Sequence, residues 1–459
     1  MSTGPDSVAR ERPAFGHLPV RRRGSVIRRP VPTNLNACDV GPRGVGVPFN
    51  AFTPCSWNAG TVGAWSGRHR HIPRSVRRAG AEREALRERR STVTASPVSP
   101  LRTPTPDPAS VRHAVEDILD DFLATKARAA DDAGLPGEIA EVLRGFVLSG
   151  GKRLRPVLCA LGWHAADAHT DTPPPPVLKA AASLELFHAF ALVHDDLIDR
   201  SDTRRGRPTM HRTLAARHRL ARGPAEAERL GTDTAILVGD LALAWSDELL
   251  HTAGLAPARL DAALAVVDRM RTEVMYGQYL DVAATGTPTD DVEAALRVAR
   301  YKTARYTIER PLHLGAALAP APPPGLTEAL TAYALPVGEA FQLRDDLLGV
   351  YGTPDLTGKS ALEDLREGKA TVLVALALRR ATPRSRAVLR SLLADPDLNE
   401  DGAATVRAVF DLTGAHRTVE DMIDTRRRDA VRAVESGPFT PPVAATLRDL
   451  AEQATRRDI

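Results

Sequence analysis

The sequence predicts an all-α protein, a single large helical bundle preceded by a long disordered tail. Three observations carry that expectation. From about position 107 apolar residues recur at helical spacing, as in Val115, Ile118, Leu119, Phe122 and Leu123. Convincing two-residue alternation of the kind strands need is absent. Finally, the first hundred residues hold 17 arginines against 6 acidic residues, many Pro, Gly and Ser breakers, and no sustained period.

Residues 1–105 include "RRRGSVIRRPVP", "GPRGVGVPFN" and "STVTASPVSPLRTPTPDP". Such a segment buries too little apolar surface to offset its chain entropy, and "AEREALRERR" is at most a transient helix. The expected organisation is therefore a disordered Arg/Pro-rich extension over 1–105 and one helical domain over 106–459. The net charge of +4 belongs to the tail, because the rest of the chain has 44 basic against 51 acidic residues. No nucleic-acid partner is expected for the helical domain, and such binding would rest on the tail alone. Of three cysteines, Cys38 and Cys55 lie in the tail, which is no disulfide framework and suits a reducing compartment. The N-terminus lacks an apolar core, and no run reaches the roughly 18 to 20 apolar residues a bilayer span requires. A soluble, cytoplasmic protein without a transmembrane segment is expected.

Within the helical domain, Asp107 and Ser110 offer caps for a first helix. Ala/Leu/Val-rich segments follow, divided by "DTPPPPV" (171–177), "TGTPTD" (285–290), "APAPPPG" (319–325) and "SGPFTPP" (436–442). Mostly apolar helices of this kind stack around a common core, and no repeat of 20 to 50 residues suggests a solenoid. One echo stands out. "FHAFALVHDDLID" and "VGEAFQLRDDLLG" (337–349) are both apolar helical runs that end in an aspartate pair.

At 100° per residue, Asp195, Asp199 and Asp202 fall on one stripe with His188. Buried carboxylates one turn apart repel unless a cation lies between them. Oxygen ligands without Cys/His pairing favour a hard ion such as Mg²⁺, which keeps waters and bridges to substrate phosphates. The cations point the same way. The chain has only six lysines beside 55 arginines, and four of the six sit in short polar stretches: "SGGKRLRP", "RYKTARY", "LTGKSA" and "REGKAT". A compact point charge is wanted there. In the first, paired glycines allow close backbone approach, and Lys152, Arg153 and Arg155 supply three cations. It is no Walker loop, since "GxxxxGK[ST]" is absent.

In this order "GGKRLRP", "DDLIDRSDTRRGRP", "GQYLD" (277–281), "YKTARY", "AFQLRDDLLGVYG" and "GKSALEDLREGKAT" resemble the successive motifs of the trans-type isoprenyl (polyprenyl) diphosphate synthases. The resemblance runs from about residue 110 to 459. It implies an all-α fold around a deep central cavity (isoprenoid synthase type), a homodimer, and Mg²⁺ as cofactor. It also implies head-to-tail joining of isopentenyl diphosphate onto an allylic diphosphate (dimethylallyl, geranyl or farnesyl). Carried over, Asp195 and Asp199 match Mg²⁺ ligands and Asp345 the remaining one. Arg204, Lys302, Thr303, Gln342, Lys359 and Lys369 fall where the family holds the allylic diphosphate. Lys152, Arg155, His188 and Arg205 fall where it holds isopentenyl diphosphate. The family pattern gives the final proton to the released diphosphate. Phe190, five positions before the first aspartate, matches a residue that limits the growing tail; followed by small Ala191, it suggests geranylgeranyl diphosphate, with farnesyl or a longer product as alternatives.

There is one departure. The family's second motif usually ends in a third aspartate, but here position 349 is Gly. That leaves room for an impaired enzyme or a weakly catalytic partner subunit, although the first motif is intact. A terpene cyclase would share the first motif, yet would show an "NDxxSxxxE"-like element and have no need of "GGKRLRP".

Overall fold

The computed structural model describes residues 107–166, 172–353 and 362–456. The expectations for the tail, its cysteines and Lys359 fall outside these residues. Helix α1 (Pro108–Asp132) is capped by Asp107, whose side chain accepts from the Ala109 N–H at 3.0 Å, while Pro108 occupies the first helical position. Ser110, the other candidate cap, lies inside the helix. Helices α2 (Glu138–Leu148) and α3 (Leu154–Ala166) follow, then the long α4 (Pro175–Ile198).

A minimal antiparallel hairpin, β1 (Thr203–Arg204) and β2 (Arg207–Pro208), interrupts the helices. Its turn residues Arg205 and Gly206 both have positive φ, 53° and 70°, as a tight two-residue hairpin turn requires. Helices α5 (Met210–Arg222), α6 (Pro224–His251) and α7 (Pro257–Ala284) come next. Then α8 (Val292–Val298) runs straight into a π-helical segment (Ala299–Glu309) and α9 (Arg310–Leu318). The second long aspartate-ended helix, α10 (Leu326–Tyr351), precedes the five-residue α11 (Glu363–Glu367). The bundle closes with α12 (Val372–Arg380), α13 (Pro383–Leu392), α14 (Glu400–Leu412), α15 (Ala415–Ser436) and α16 (Pro441–Thr455). The breakers at 171–177 and 436–442 thus place prolines at helix starts, where a missing N–H costs nothing.

One part of the core joins α1, α2, α3, α4, α6 and α7, with Phe187, Leu186 and Trp163 among its buried members. A second lies between α10, α12, α14 and α15, and a third between α3, α9, α10 and α16. Helix α4 corrects one expectation. Over its 24 residues it is long and apolar enough, by length and composition, to cross a bilayer. However, 67% of its apolar window is buried inside the protein, so its apolar surface is spent on neighbouring helices. It is the central strut of the bundle, and its C-terminal end delivers the first aspartates.

Candidate active site

The ends of α4 and α10 open on a cavity of about 1100 Å³, which the π segment, α7, the hairpin, α11 and the loop before α3 complete. Its acidic side starts at Asp195. Asp195 Oδ1 accepts from Gln278 Nε2 at 3.0 Å and from Lys302 Nζ at 3.3 Å, and its Oδ2 lies 3.3 Å from Arg204 Nη2. Burial would raise this carboxyl, but Lys302 and Arg204 outweigh it and hold it below the ordinary carboxylate range. Its neighbour behaves oppositely. Burial, and then the charge of Asp195, push the Asp199 carboxyl up to about 6. Both sit at the C-terminal end of α4, where the helix dipole also disfavours negative charge. The predicted stripe stops there. Arg200 turns out of the helix with φ 54°, so Asp202 lies beyond it, exposed and paired with Arg212 at 2.7 Å.

Gly277 makes the meeting of Gln278 and Lys302 possible. A Cβ on residue 277 would come within 2.6 Å of Tyr301 C and 2.7 Å of Lys302 Cα, so α7 and the π segment touch backbone to backbone. Lys302 also reaches Asp281 at 2.5 Å; despite burial, Asp195 and Asp281 raise its pKa. From α10, Asp345 is exposed at the cavity while Asp346 is buried. Burial lifts Asp346 to about 7, and its Oδ1 accepts from Gln342 Nε2 at 2.8 Å. Gln342 Oε1 in turn accepts from Thr303. Lys369 lies among these carboxylates, and Asp364 above all holds its pKa well above the usual value.

The opposite wall is basic. The Arg155 guanidinium stacks over the Tyr306 ring at 4.2 Å and donates to Thr307 Oγ1 at 2.8 Å, while its buried Nε has no partner among the described residues. Arg205 donates to the Gly150 carbonyl at 2.7 Å. Burial, followed by Arg204, lowers the Arg205 pKa, which marks a place crowded with positive charge. His188 Nδ1 lies 3.2 Å from the Tyr306 hydroxyl. Burial first, then Arg155 and Arg205, drive its pKa well below the usual value, so the ring is neutral. Lys152 also lines this wall. Arg153, the third cation of "SGGKRLRP", is already engaged. It is buried against Glu116 (3.1 Å) and Glu185 (3.2 Å) and donates to the Val147 carbonyl.

The family model described as polyprenyl synthetase matches residues 136–410. The chain belongs to the polyprenyl synthetases. A (2E,6E)-farnesyl diphosphate synthase of Mycobacterium tuberculosis is 31% identical over 310 residues, covering 67% of this chain and 80% of the relative. A geranylfarnesyl diphosphate synthase of Aeropyrum pernix is 31% identical over 314 residues, 66% of this chain and 88% of its own. The crystal structure of a geranylgeranyl pyrophosphate synthase from Corynebacterium glutamicum, complexed with isoprenyl diphosphate and magnesium, matches with TM-score 0.73 and 41% identity. That match covers 77% of this chain and 100% of the solved one.

In this polyprenyl synthetase one cavity gathers Lys152, Arg155, His188, Asp195, Asp199, Arg204 and Arg205 from the first half of the helical part. From the second half it gathers Lys302, Thr303, Gln342, Asp345 and Lys369. Arg204 is tied to buried Asp196 (2.7 Å) as well as to Asp195. Ala191 lines the cavity, whereas Phe190 packs beside it with its ring 5.3 Å from Phe187 and 4.7 Å from His194. One layer deeper, Arg271 from α7 lies 5.4 Å over Phe187 and pairs with Asp247 at 2.5 Å. Sequence reasoning missed Asp196, Gln278, Asp281, Tyr306, Asp346 and Asp364. Gln278 and Asp281 stood inside the "GQYLD" motif and Tyr306 closes "YKTARY", but nothing in the sequence fixes their direction.

Proposed function

We propose that the chain catalyses Mg²⁺-dependent head-to-tail addition of isopentenyl diphosphate to an allylic diphosphate, giving geranylgeranyl diphosphate. The carrying observation is the division of one cavity into an acidic wall and a separate basic wall. The acidic wall fits Mg²⁺ in its donor chemistry. Asp199 is lifted to about 6 beside Asp195, a pairing that a cation would relieve. Among the described residues no group of three or more His, Cys, Asp or Glu side chains is arranged to hold a metal alone. That suits an ion completing its shell with water and substrate phosphate. Asp195, Asp199 and Asp345 would hold Mg²⁺, which when bound supplies Lewis-acid stabilisation of the departing diphosphate.

Arg204, Lys302, Lys359 and Lys369, with Thr303 and Gln342, then orient the allylic diphosphate and stabilise charge as its C–O bond breaks. Lys152, Arg155 and Arg205 hold the second diphosphate so that its double bond meets the carbocation. Neutral His188 fixes the Tyr306 hydroxyl beside that site and adds no charge near the cation. Ala191, Leu192, Val274 and Phe341 line the cavity with apolar surface and keep water from the carbocation. As the family pattern implies, the proton leaves with the released diphosphate.

In this reading product length rests on Ala191, which lines the cavity, and on Phe190, packed beside it against Phe187 and His194. The named relatives make farnesyl, geranylfarnesyl and geranylgeranyl products, and the 41% identity to the last favours that length. A homodimer is part of this reading. It is supported by apolar side chains left exposed on α6 (Leu237, 56%) and α7 (Tyr276, 66%; Tyr279, 67%). The test is to incubate the purified full-length protein with Mg²⁺, labelled isopentenyl diphosphate and, in turn, dimethylallyl, geranyl and farnesyl diphosphate. A twenty-carbon diphosphate is expected; no elongation from any primer refutes the synthase reading.

A further inference from the structure

The π segment serves both walls of the cavity. Lys302 and Thr303 belong to the acidic wall, whereas Tyr306 and Thr307 hold Arg155 on the basic one, and all of them line the cavity. In an α-helix, residues five apart point about 140° away from each other, which would turn Thr307 off the face of Lys302. An i→i+5 ladder stacks them instead. Runs of this geometry are rare, so contacts outside the segment must hold the register. Its last i→i+5 bond is closed by the Arg310 N–H, which donates to the Arg305 carbonyl. Glu273, on α7, holds the side chains of those same two residues. Its Oε1 accepts from Arg305 Nη1 and from Arg310 Nη2 at 2.8 Å, and its Oε2 accepts from Arg310 Nε at 2.7 Å. We propose that Glu273 is a positioning residue: by bridging Arg305 to Arg310 it fixes the π register that aims one helix at two diphosphates. This rests on the synthase reading given above.

The surroundings confine Glu273 to that task. Glu273, Arg305 and Arg310 do not line the cavity, so their effect on a ligand passes through the helix they hold. One turn further along α7, Gly277 brings its backbone against residues 301 and 302; a turn beyond that, Asp281 receives Lys302 at 2.5 Å. α7 therefore grips the π segment on successive turns. From the other side α10 closes in at Gly338, where a Cβ would come within 2.6 Å of the Ala304 Cβ. The buried charges balance. Glu309 Oε2 lies 3.5 Å from Arg310 and 3.9 Å from Arg305, which pairs two carboxylates with two guanidinium groups. Burial would raise the Glu273 carboxyl, but Arg310 and then Arg305 outweigh it and hold it below its ordinary range. His313, 3.0 Å from Arg310, is kept neutral by burial and by that arginine, so it adds no charge to the group.

The test is calorimetric binding of inorganic diphosphate to the full-length protein, with Mg²⁺ for the acidic wall and without it for the basic wall, beside thermal unfolding. Glu273→Gln keeps the shape but leaves both arginines to Glu309 alone, so it should lower the thermal midpoint. The double variant Glu273→Gln/Arg305→Gln restores the charge balance and should recover most of that midpoint, yet it still lacks the bridge. Its diphosphate affinity should therefore stay about tenfold or more below wild type under both conditions, the scale of one charged hydrogen bond. In turnover, the KM values for both substrates should rise as kcat falls, whereas a merely less stable protein loses kcat alone. Affinity that recovers together with the midpoint would make Glu273 a charge-balancing residue only. Wild-type affinity in both variants, or a loss confined to one condition, would detach the shared register from it. Each of these overturns the proposal. A wild type that binds diphosphate but joins no isoprenyl units refutes the synthase reading instead, and the affinities of the variants still decide the register.

Discussion

Asp195→Asn is the substitution whose consequences the structure specifies most closely. The change keeps the shape and removes one charge. It also replaces one acceptor oxygen with an NH₂ group, although Oδ1 faces Gln278 and Lys302 and Oδ2 faces Arg204, which are all donors. One of those contacts must become donor against donor. At an effective dielectric near 20, two unit charges about 4 Å apart interact by about 4 kcal/mol, and a divalent ion doubles the charge on one side. A fall in kcat/KM of about 10²- to 10³-fold, or about 2.7–4 kcal/mol, is therefore a conservative expectation. Mg²⁺ affinity measured with inorganic diphosphate should fall with it. Asp199, relieved of its charged neighbour, should titrate below its present value of about 6. The assay is initial rate against Mg²⁺ concentration, with circular dichroism to show an intact fold. A variant within threefold of wild type at every Mg²⁺ concentration would remove Asp195 from the metal site and with it the proposed mechanism.

Phe190→Ala should lengthen the principal product by at least one isoprene unit, read by chromatography of the dephosphorylated alcohols; an unchanged length assigns the stop to deeper groups such as Arg271 and Phe187. Deleting residues 1–105 should leave kcat within about twofold, if 106–459 is the catalytic domain, whereas an inactive or insoluble product makes the extension structural. His313 should give stability a pH dependence of its own. Its Nδ1 lies 3.0 Å from Arg310, which only donates, so the ring is neutral with the proton on Nε2, facing Thr331. Burial and then Arg310 bring its pKa from 6.5 to about 4. The folded protein thus binds this proton less readily than the unfolded chain does. The contribution is full above pH 6.5 and is lost as pH falls to about 4, on the order of 3 kcal/mol in all. His313→Gln should flatten the denaturation profile over that window relative to wild type, and parallel profiles would contradict the argument.

What the sequence disclosed, and what it withheld, follows a physical line. Helices α4 and α10 were legible because each drives a long apolar run directly into paired carboxylates, a pattern that a solvated face has no reason to adopt. The breakers at 171–177 and 436–442 were legible because proline at a first helical position leaves a local trace. The π segment left none, since an i→i+5 ladder in "ARYKTARYTIE" is set by contacts with α7 and α10 through Gly277 and Gly338. Arg153 and Arg155 show the same limit. Both are cations in one short motif, yet Arg153, at φ 46°, turns to Glu116 and Glu185, while Arg155 faces the cavity. Asp202 was placed on the metal stripe by assuming that α4 continues, and the left-handed Arg200 ends it. Asp364 belongs to a segment with no periodic signal, and the approach of its carboxylate to Gly349 exists only in three dimensions.

The pKa directions bear on which reaction the cavity is built for. On the acidic wall, Asp199 and Asp346 are pushed up to about 6 and about 7. On the basic wall, Arg205 and His188 are pushed down. Each of these groups is thus held where its own charged form is disfavoured, and a ligand of the opposite sign relieves the cost. Under the proposed function, that ligand for the acidic wall would be a metal ion carrying a diphosphate. The basic wall has no carboxylate excess to recruit a metal; a bare diphosphate suits it. A cyclase, which handles one diphosphate, has use for the first wall only, and a partner subunit without catalysis has use for neither. Two walls prepared with opposite charge on one cavity therefore favour an enzyme that binds two diphosphates at once and joins their chains between them.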